Sequence, residues 1–98
     1  MDDFVKGTLS MMRIDLATFE AQPAVGALDA LVGRLSGAID ALVGRVIEAW
    51  LDELRSAWWP LEYVNATVLG DGRQQLTTAE TASVSLARDE FLALLAEY

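Results

Sequence analysis

The 98 residues (10.7 kDa) are enough for one small domain, and we expect residues 1–98 to fold as a single unit. Fifteen Asp and Glu against seven Lys and Arg give a formal net charge of −8 at pH 7, which opposes direct binding to nucleic acids and anionic membranes. The chain contains no Cys and no His, which excludes disulfides, Cys- or His-ligated zinc, and catalysis by a thiolate or an imidazole.

The first third of the chain fits two patterns. Val5, Leu9, Met12, Leu16 and Phe19 follow a 4-3-4-3 spacing, which is typical of one helix face, whereas residues 10–19 also alternate as a strand would. We predict a strand over 10–19, because the hairpin expected later in the chain needs a third strand for stability.

The middle of the chain contains an eleven-residue repeat. Residues 26–36 and 37–47 match at eight of eleven positions, and eleven residues make three helical turns, so equivalent positions share one face. The resulting apolar stripe consists of Leu28, Val32, Leu35, Ile39, Leu42, Val46 and Trp50. This pattern predicts one continuous helix over 24–58, with Pro23 in its first turn and Pro60 beyond its end.

Such a helix is about 50 Å long and protrudes from a monomer of this size. Either a kink at Ser36-Gly37 shortens it, or the stripe packs against a second copy of the chain. Four small residues recur every three or four positions and would let a second backbone approach closely: Gly33, Gly37, Ala41 and Gly44. We therefore expect a homo-oligomer.

The last third predicts a hairpin and a short helix. Residues 63–69 are rich in β-formers, residues 70–73 (Gly-Asp-Gly-Arg) are typical of a tight turn, and residues 75–86 alternate. A helix follows over 87–97. The expected fold is α+β, a small antiparallel sheet in β-α-β-β-α order packed against the long helix and the short C-terminal helix. The alternative is a mostly helical hairpin with an appended β-ribbon.

The sequence contains few groups that could perform chemistry. Glu48, Asp52 and Glu53 are close on the expected helix, and we interpret them as a solvated face rather than as a metal or acid–base site. Residues 70–72 lack the spacing of a phosphate-binding loop. We predict no catalytic residue, no metal, no cofactor and no enzymatic activity.

The aromatic residues are the candidate partner-binding surface. Trp58 and Trp59 are adjacent and therefore point about 100° apart on a helix, so both cannot face one core. Trp58 continues the apolar stripe, whereas Trp59 rotates off it towards solvent, and Tyr63 follows one turn later. Tryptophan and tyrosine are enriched at protein interfaces, and we predict a partner site at Trp59, Trp58 and Tyr63.

These features predict a small acidic interaction or assembly protein that self-associates through its long central helix. The alternative is an acidic inhibitor, of the immunity, antitoxin or anti-defence type, that covers a basic site on a nucleic-acid enzyme. Charges interrupt the hydrophobic stretch after residue 24, which excludes a membrane span there, and no signal peptide is visible. We expect a cytoplasmic protein, with a composition typical of bacteria or phages.

Overall fold

The computed structural model describes residues 2–19 and 25–97, which form four helices. These are α1 (Asp3–Thr18), α2 (Val25–Ala41), α3 (Glu48–Gly70) and α4 (Thr78–Ala96). Contacts join α1 to α2, α2 to α3, α3 to α4 and α4 back to α1, which closes the ring. The molecule is a four-helix bundle with extents of 41 × 21 × 18 Å.

Polar contacts between the helices show that neighbours run antiparallel. Arg13, in the second half of α1, donates to the carbonyl of Leu95 near the end of α4 (3.1 Å), whereas Arg88 donates to the carbonyl of Phe19 just after α1 (3.0 Å). In the same way, Trp58 of α3 contacts Val32 of α2, whereas Asn65, later in α3, contacts Asp29, which comes earlier in α2. The topology is therefore up-down-up-down.

The expected α+β fold is wrong. The described residues contain no β-strand, so neither the β-α-β-β-α sheet nor the appended ribbon exists. Residues 63–69 belong to α3 and residues 78–86 to α4. The turn at 70–73 does reverse the chain, with Gly72 at φ +67, but it joins two helices rather than two strands. The Val and Thr residues that favoured strands are outweighed by burial at helical spacing.

Of the two patterns considered for the first third of the chain, the helix is the correct one, and the strand predicted over 10–19 is wrong. All five residues of the 4-3-4-3 spacing are buried: Val5, Leu9, Met12, Leu16 and Phe19. Asp2 caps the helix, because its carboxylate accepts a hydrogen bond from the backbone N–H of Val5 at 2.7 Å.

The continuous helix over 24–58 is also wrong, and its expected first residue lies outside the described residues. Residues 42–47 form a turn in which Gly44 adopts φ +78, a left-handed conformation that glycine tolerates best. Ser36 and Gly37 lie inside α2 and do not end it. The chain folds back at this turn, so α2 and α3 bury their apolar faces against each other within one molecule.

The last helix is longer than the predicted 87–97 and begins at Thr78. Thr77 caps it in a reciprocal capping box: the Thr77 hydroxyl accepts from the Glu80 N–H, and the Glu80 carboxylate accepts from the Thr77 N–H at 2.8 Å. The core between the four helices is built mostly from aliphatic side chains, and the aromatic Phe91 is the largest fully buried side chain among the described residues. Asn65 is a buried polar residue, and it donates to Asp29 at 2.9 Å.

Candidate functional site

The outer face of α3 exposes two large aromatic rings. Trp59 is 60% exposed and Tyr63 is 73% exposed, although Leu61 between them is fully buried. The two rings are four residues apart and therefore lie on the same side of the helix, one turn from each other. Trp59 faces away from the core, as its rotation off the apolar stripe predicts.

These rings lie along a groove between α3 and α4. A cavity of about 550 Å³ is lined by Trp59, Pro60 and Tyr63 from α3 and by Ala79 and Ser83 from α4, among others. We call this part of the groove the aromatic half. Its walls are mostly apolar, which suits a hydrophobic side chain of a ligand.

Trp58 positions the neighbouring Trp59. The Trp58 ring is half-buried against the core, and its indole N–H donates to the carbonyl of Val32 on α2 at 3.0 Å. The two indole rings meet edge to face, with centroids 5.2 Å apart and an interplanar angle of 63°. The exposed ring of Trp59 is therefore supported by a ring that is itself held by a hydrogen bond.

Glu80 lines the aromatic half, and its charge is already compensated. Arg73 donates to both carboxylate oxygens of Glu80, at 2.8 and 2.9 Å. These hydrogen bonds, supported by the Thr77 N–H, lower the pKa of Glu80 to about 2 and raise that of Arg73. The aromatic half thus presents apolar surface with a neutralised ion pair at its edge.

The groove continues towards the other end of the bundle as an acidic half. A second cavity of about 510 Å³ is lined by Asp52, Glu53, Ser56, Glu90, Ala93, Leu94 and Glu97. Asp52 pairs with Arg55 at 3.3 Å, whereas no ion pair of Glu53, Glu90 or Glu97 is found in the described part of the chain. Three carboxylates without an ion pair in the described part of the chain therefore line one cavity.

Ser56 lines both cavities, so the two halves of the groove adjoin at this residue. Its carbonyl lacks the usual helical donor, because residue 60, four positions later, is a proline without an N–H. Pro60 lies inside α3 and not beyond the helix end, which corrects the sequence prediction. A residue that destabilises helix interiors thus lies in the centre of the candidate site.

The four small residues do not belong to this groove. Gly33, Gly37 and Ala41 are exposed on the outer face of α2, and Gly44 lies in the turn that follows. A Cβ atom added at any of the three glycines meets nothing within 4 Å, so no contact within the molecule requires a glycine there. The structure therefore brings Trp59 and Tyr63 to one surface, places Trp58 beneath it, and leaves the small residues elsewhere.

Sequence reasoning missed that residues of α4 complete the site. Glu90 and Glu97 face the carboxylates of α3 because α4 packs antiparallel to α3 from residue 78 onwards. The sequence contained a signal for this helix: Thr77-Thr-Ala-Glu80 has the spacing of a capping box. Starting the helix there would have placed the acidic residues of the last third on a helix next to α3.

Within residues 2–19 and 25–97, no group of three or more Asp or Glu side chains has an arrangement that could hold a metal ion. None of the helices in the described ranges is long and apolar enough to cross a membrane. Comparison of the chain with protein-family models, with curated proteins and with solved structures finds no match.

Proposed function

We propose that this protein is a non-enzymatic binding module that recognises a basic protein partner through the α3/α4 groove. The observation that supports this most directly is the exposure of Trp59 and Tyr63 beside the aromatic half of the groove. Exposed aromatic rings that are held in place are the usual anchors of protein interfaces, because they bury a large area at a small cost in conformational entropy.

The charge of the groove supports a basic partner. Glu53, Glu90 and Glu97 lie together in the acidic half of a protein with net charge −8. Like charges repel, so a ligand that brings Lys or Arg next to these carboxylates gains attraction and relieves repulsion. An acidic inhibitor that covers a basic site on a nucleic-acid enzyme is one form of this function.

The test combines capture, identification and quantitative binding. The parent chain and a Trp59→Ala/Tyr63→Ala double variant serve as bait in lysate of the cells that express the protein. A protein retained by the parent and lost by the double variant is then purified, and its affinity is measured at several salt concentrations. We expect a loss of affinity of roughly 30-fold or more in the double variant, and weaker binding as salt rises.

Met11→Ala is the matched control for this experiment. Met11 is 60% exposed, as is Trp59, but it lies on α1 and lines neither half of the groove. The Met11→Ala variant should bind the purified partner as the parent does. A partner that binds the parent and the double variant equally, or a partner without a basic surface, contradicts the proposal.

Self-association is the second candidate. The argument from helix length no longer applies because the chain turns at 42–47, but Gly33, Gly37 and Ala41 leave a flat exposed face on α2. Light scattering at high concentration decides the question. A dimer that Gly37→Leu dissociates supports self-association, since the added side chain meets nothing within the monomer. A mass of 10.7 kDa contradicts it.

A further inference from the structure

We infer that the α3/α4 groove accommodates one amphipathic basic helix, with an apolar side chain against Trp59 and Tyr63 and Lys or Arg side chains in the acidic half. The inference rests on the proposed function and adds the conformation of the bound segment and its orientation along the groove. It follows from the way apolar surface and charge are distributed along α3 and α4.

The two halves of the groove differ in charge. In the aromatic half the carboxylate of Glu80 is bound by Arg73, so the ligand meets apolar surface there. In the acidic half Glu53, Glu90 and Glu97 have no cation opposite them in the described part of the chain. A ligand that is apolar at one end and basic at the other matches both halves, whereas a uniformly basic one matches only the second.

The length of the groove matches a short helix. Asp52 and Thr67 mark its two ends on α3, and the fifteen residue steps between them correspond to about 22 Å, or about four turns. A helix laid along this line reaches both halves with side chains on one face, at positions i, i+4, i+7 and i+11.

An extended segment is a poorer match, because strand addition needs a row of unpaired backbone N–H and C=O groups. Helices pair these groups internally, and α3 lacks an internal donor here only for the carbonyl of Ser56. One such acceptor suits a single Lys, Arg or Ser side chain of a bound helix. It does not suit a hydrogen-bonded strand.

A second copy of the chain is excluded as the preferred occupant by charge. In a two-fold dimer the same face of each copy meets its counterpart. Either the acidic halves oppose each other and repel, or each acidic half covers the aromatic half of the other copy and loses its water without gaining a cation. A basic helix avoids both costs.

The experiment titrates the protein with four synthetic peptides of about 14 residues, which is close to three or four helical turns. The first has Leu along one helical face and Lys at its other positions, with the Leu residues concentrated in one half. The second has the same composition in scrambled order. The third replaces Lys by Glu, and the fourth inserts two central Pro residues. Binding is followed by calorimetry, and helix formation by the difference in far-UV circular dichroism.

We expect the amphipathic peptide to bind at least tenfold more tightly than the scrambled and Pro-containing peptides, with a gain in helix signal. The Glu peptide should not bind. Trp59→Ala/Tyr63→Ala should weaken binding by roughly 30-fold. Glu53→Gln/Glu90→Gln/Glu97→Gln should weaken it and flatten its salt dependence, whereas Met11→Ala should change nothing. All these variants alter exposed or half-buried surface positions, and their melting curves verify folding.

Two outcomes overturn the inference in different ways. If all Lys peptides bind equally and the groove variants weaken each of them, the ligand is not a helix, but the proposed basic partner stands. If no Lys peptide binds, or if binding ignores the groove variants, both the helix and the proposed function fail. A dimer that dissociates in the Trp59→Ala/Tyr63→Ala variant identifies a second copy as the occupant and overturns the inference.

Discussion

Leu61 and Tyr63 are two positions apart on α3, yet Leu61 is fully buried and Tyr63 is largely exposed. The inner face of α3 contacts α2 and α4 and holds the bundle together, whereas the outer face exposes aromatic rings that contribute little to the core. Burial accounts for the residues of the inner face through stability alone. The rings of the outer face lack such an explanation, and the proposed partner would supply one.

The largest expected effect on stability distinguishes the inner face of α3 from its outer face. Leu61→Ala should lower the free energy of unfolding by about 3 kcal/mol, because it leaves a cavity in a close-packed core. Tyr63→Ala should change it by less than about 1 kcal/mol, since the ring is mostly in water already. Urea unfolding measures both, and equal losses would show that the outer face is also structural.

Trp58 lies between the two faces, and its substitution should affect both properties. Trp58→Ala should cost about 2–3 kcal/mol of stability, through lost packing and the lost hydrogen bond to Val32. Trp58→Phe keeps much of the packing and should cost about 1 kcal/mol. If the support of Trp59 matters for recognition, both variants also weaken binding of the amphipathic peptide, and unchanged affinity contradicts this role.

Substitution of Pro60 should increase the stability of the protein, whereas the substitutions above decrease it. Pro60→Ala should raise the free energy of unfolding by about 1–2 kcal/mol, because it restores a backbone N–H to the middle of α3 and removes a steric conflict. The gain is smaller than the cost of proline in a model helix, since proline also restricts the unfolded chain. A loss of stability in this variant would show that α3 is adapted to the proline.

The smallest effect concerns the edge of the groove and depends on pH. The pKa of Glu80 is about 2 in the folded protein and about 4.5 as a free side chain, so the unfolded state takes up the proton first. The stabilisation by Glu80 is therefore complete above about pH 4.5 and is lost as the pH falls towards about 2. Glu80→Gln should be less stable than the parent at neutral pH, and the difference should shrink across this interval.

Thr77→Ala is the control for the pH experiment. It removes the cap of α4 and should cost about 1 kcal/mol, but it leaves the pair between Arg73 and Glu80 in place. Its stability should consequently keep most of the acid dependence of the parent, because only the smaller contribution of the Thr77 hydroxyl to the low pKa of Glu80 is lost. A Thr77→Ala variant that loses this dependence would assign the low pKa of Glu80 to the Thr77 hydroxyl rather than to Arg73.

Parts of the fold could be predicted from apolar spacing. The 4-3-4-3 pattern of α1 describes a buried face, and five residues of the repeat are buried as its helical stripe requires: Leu28, Val32, Leu35, Ile39 and Leu42. The hairpin prediction failed because alternation over residues 75–86 was given more weight than the capping box at Thr77. The exposure of Trp59 followed from its position next to Trp58, and its role in binding stays a prediction.

The sequence by itself determined the acidic charge, the apolar stripes, the proline at position 60 and the pair of adjacent tryptophans, since all of these are properties of residue order. The tertiary structure alone decided that the helix predicted from the repeat is interrupted by a turn at Gly44. The left-handed conformation of Gly44 in this turn lets α2 and α3 bury their apolar stripes against each other. The tertiary structure also decided that Glu90 and Glu97 line the same cavity as Glu53. Carboxylates from two helices form one surface only when packing brings those helices side by side, and that packing depends on contacts between distant parts of the chain.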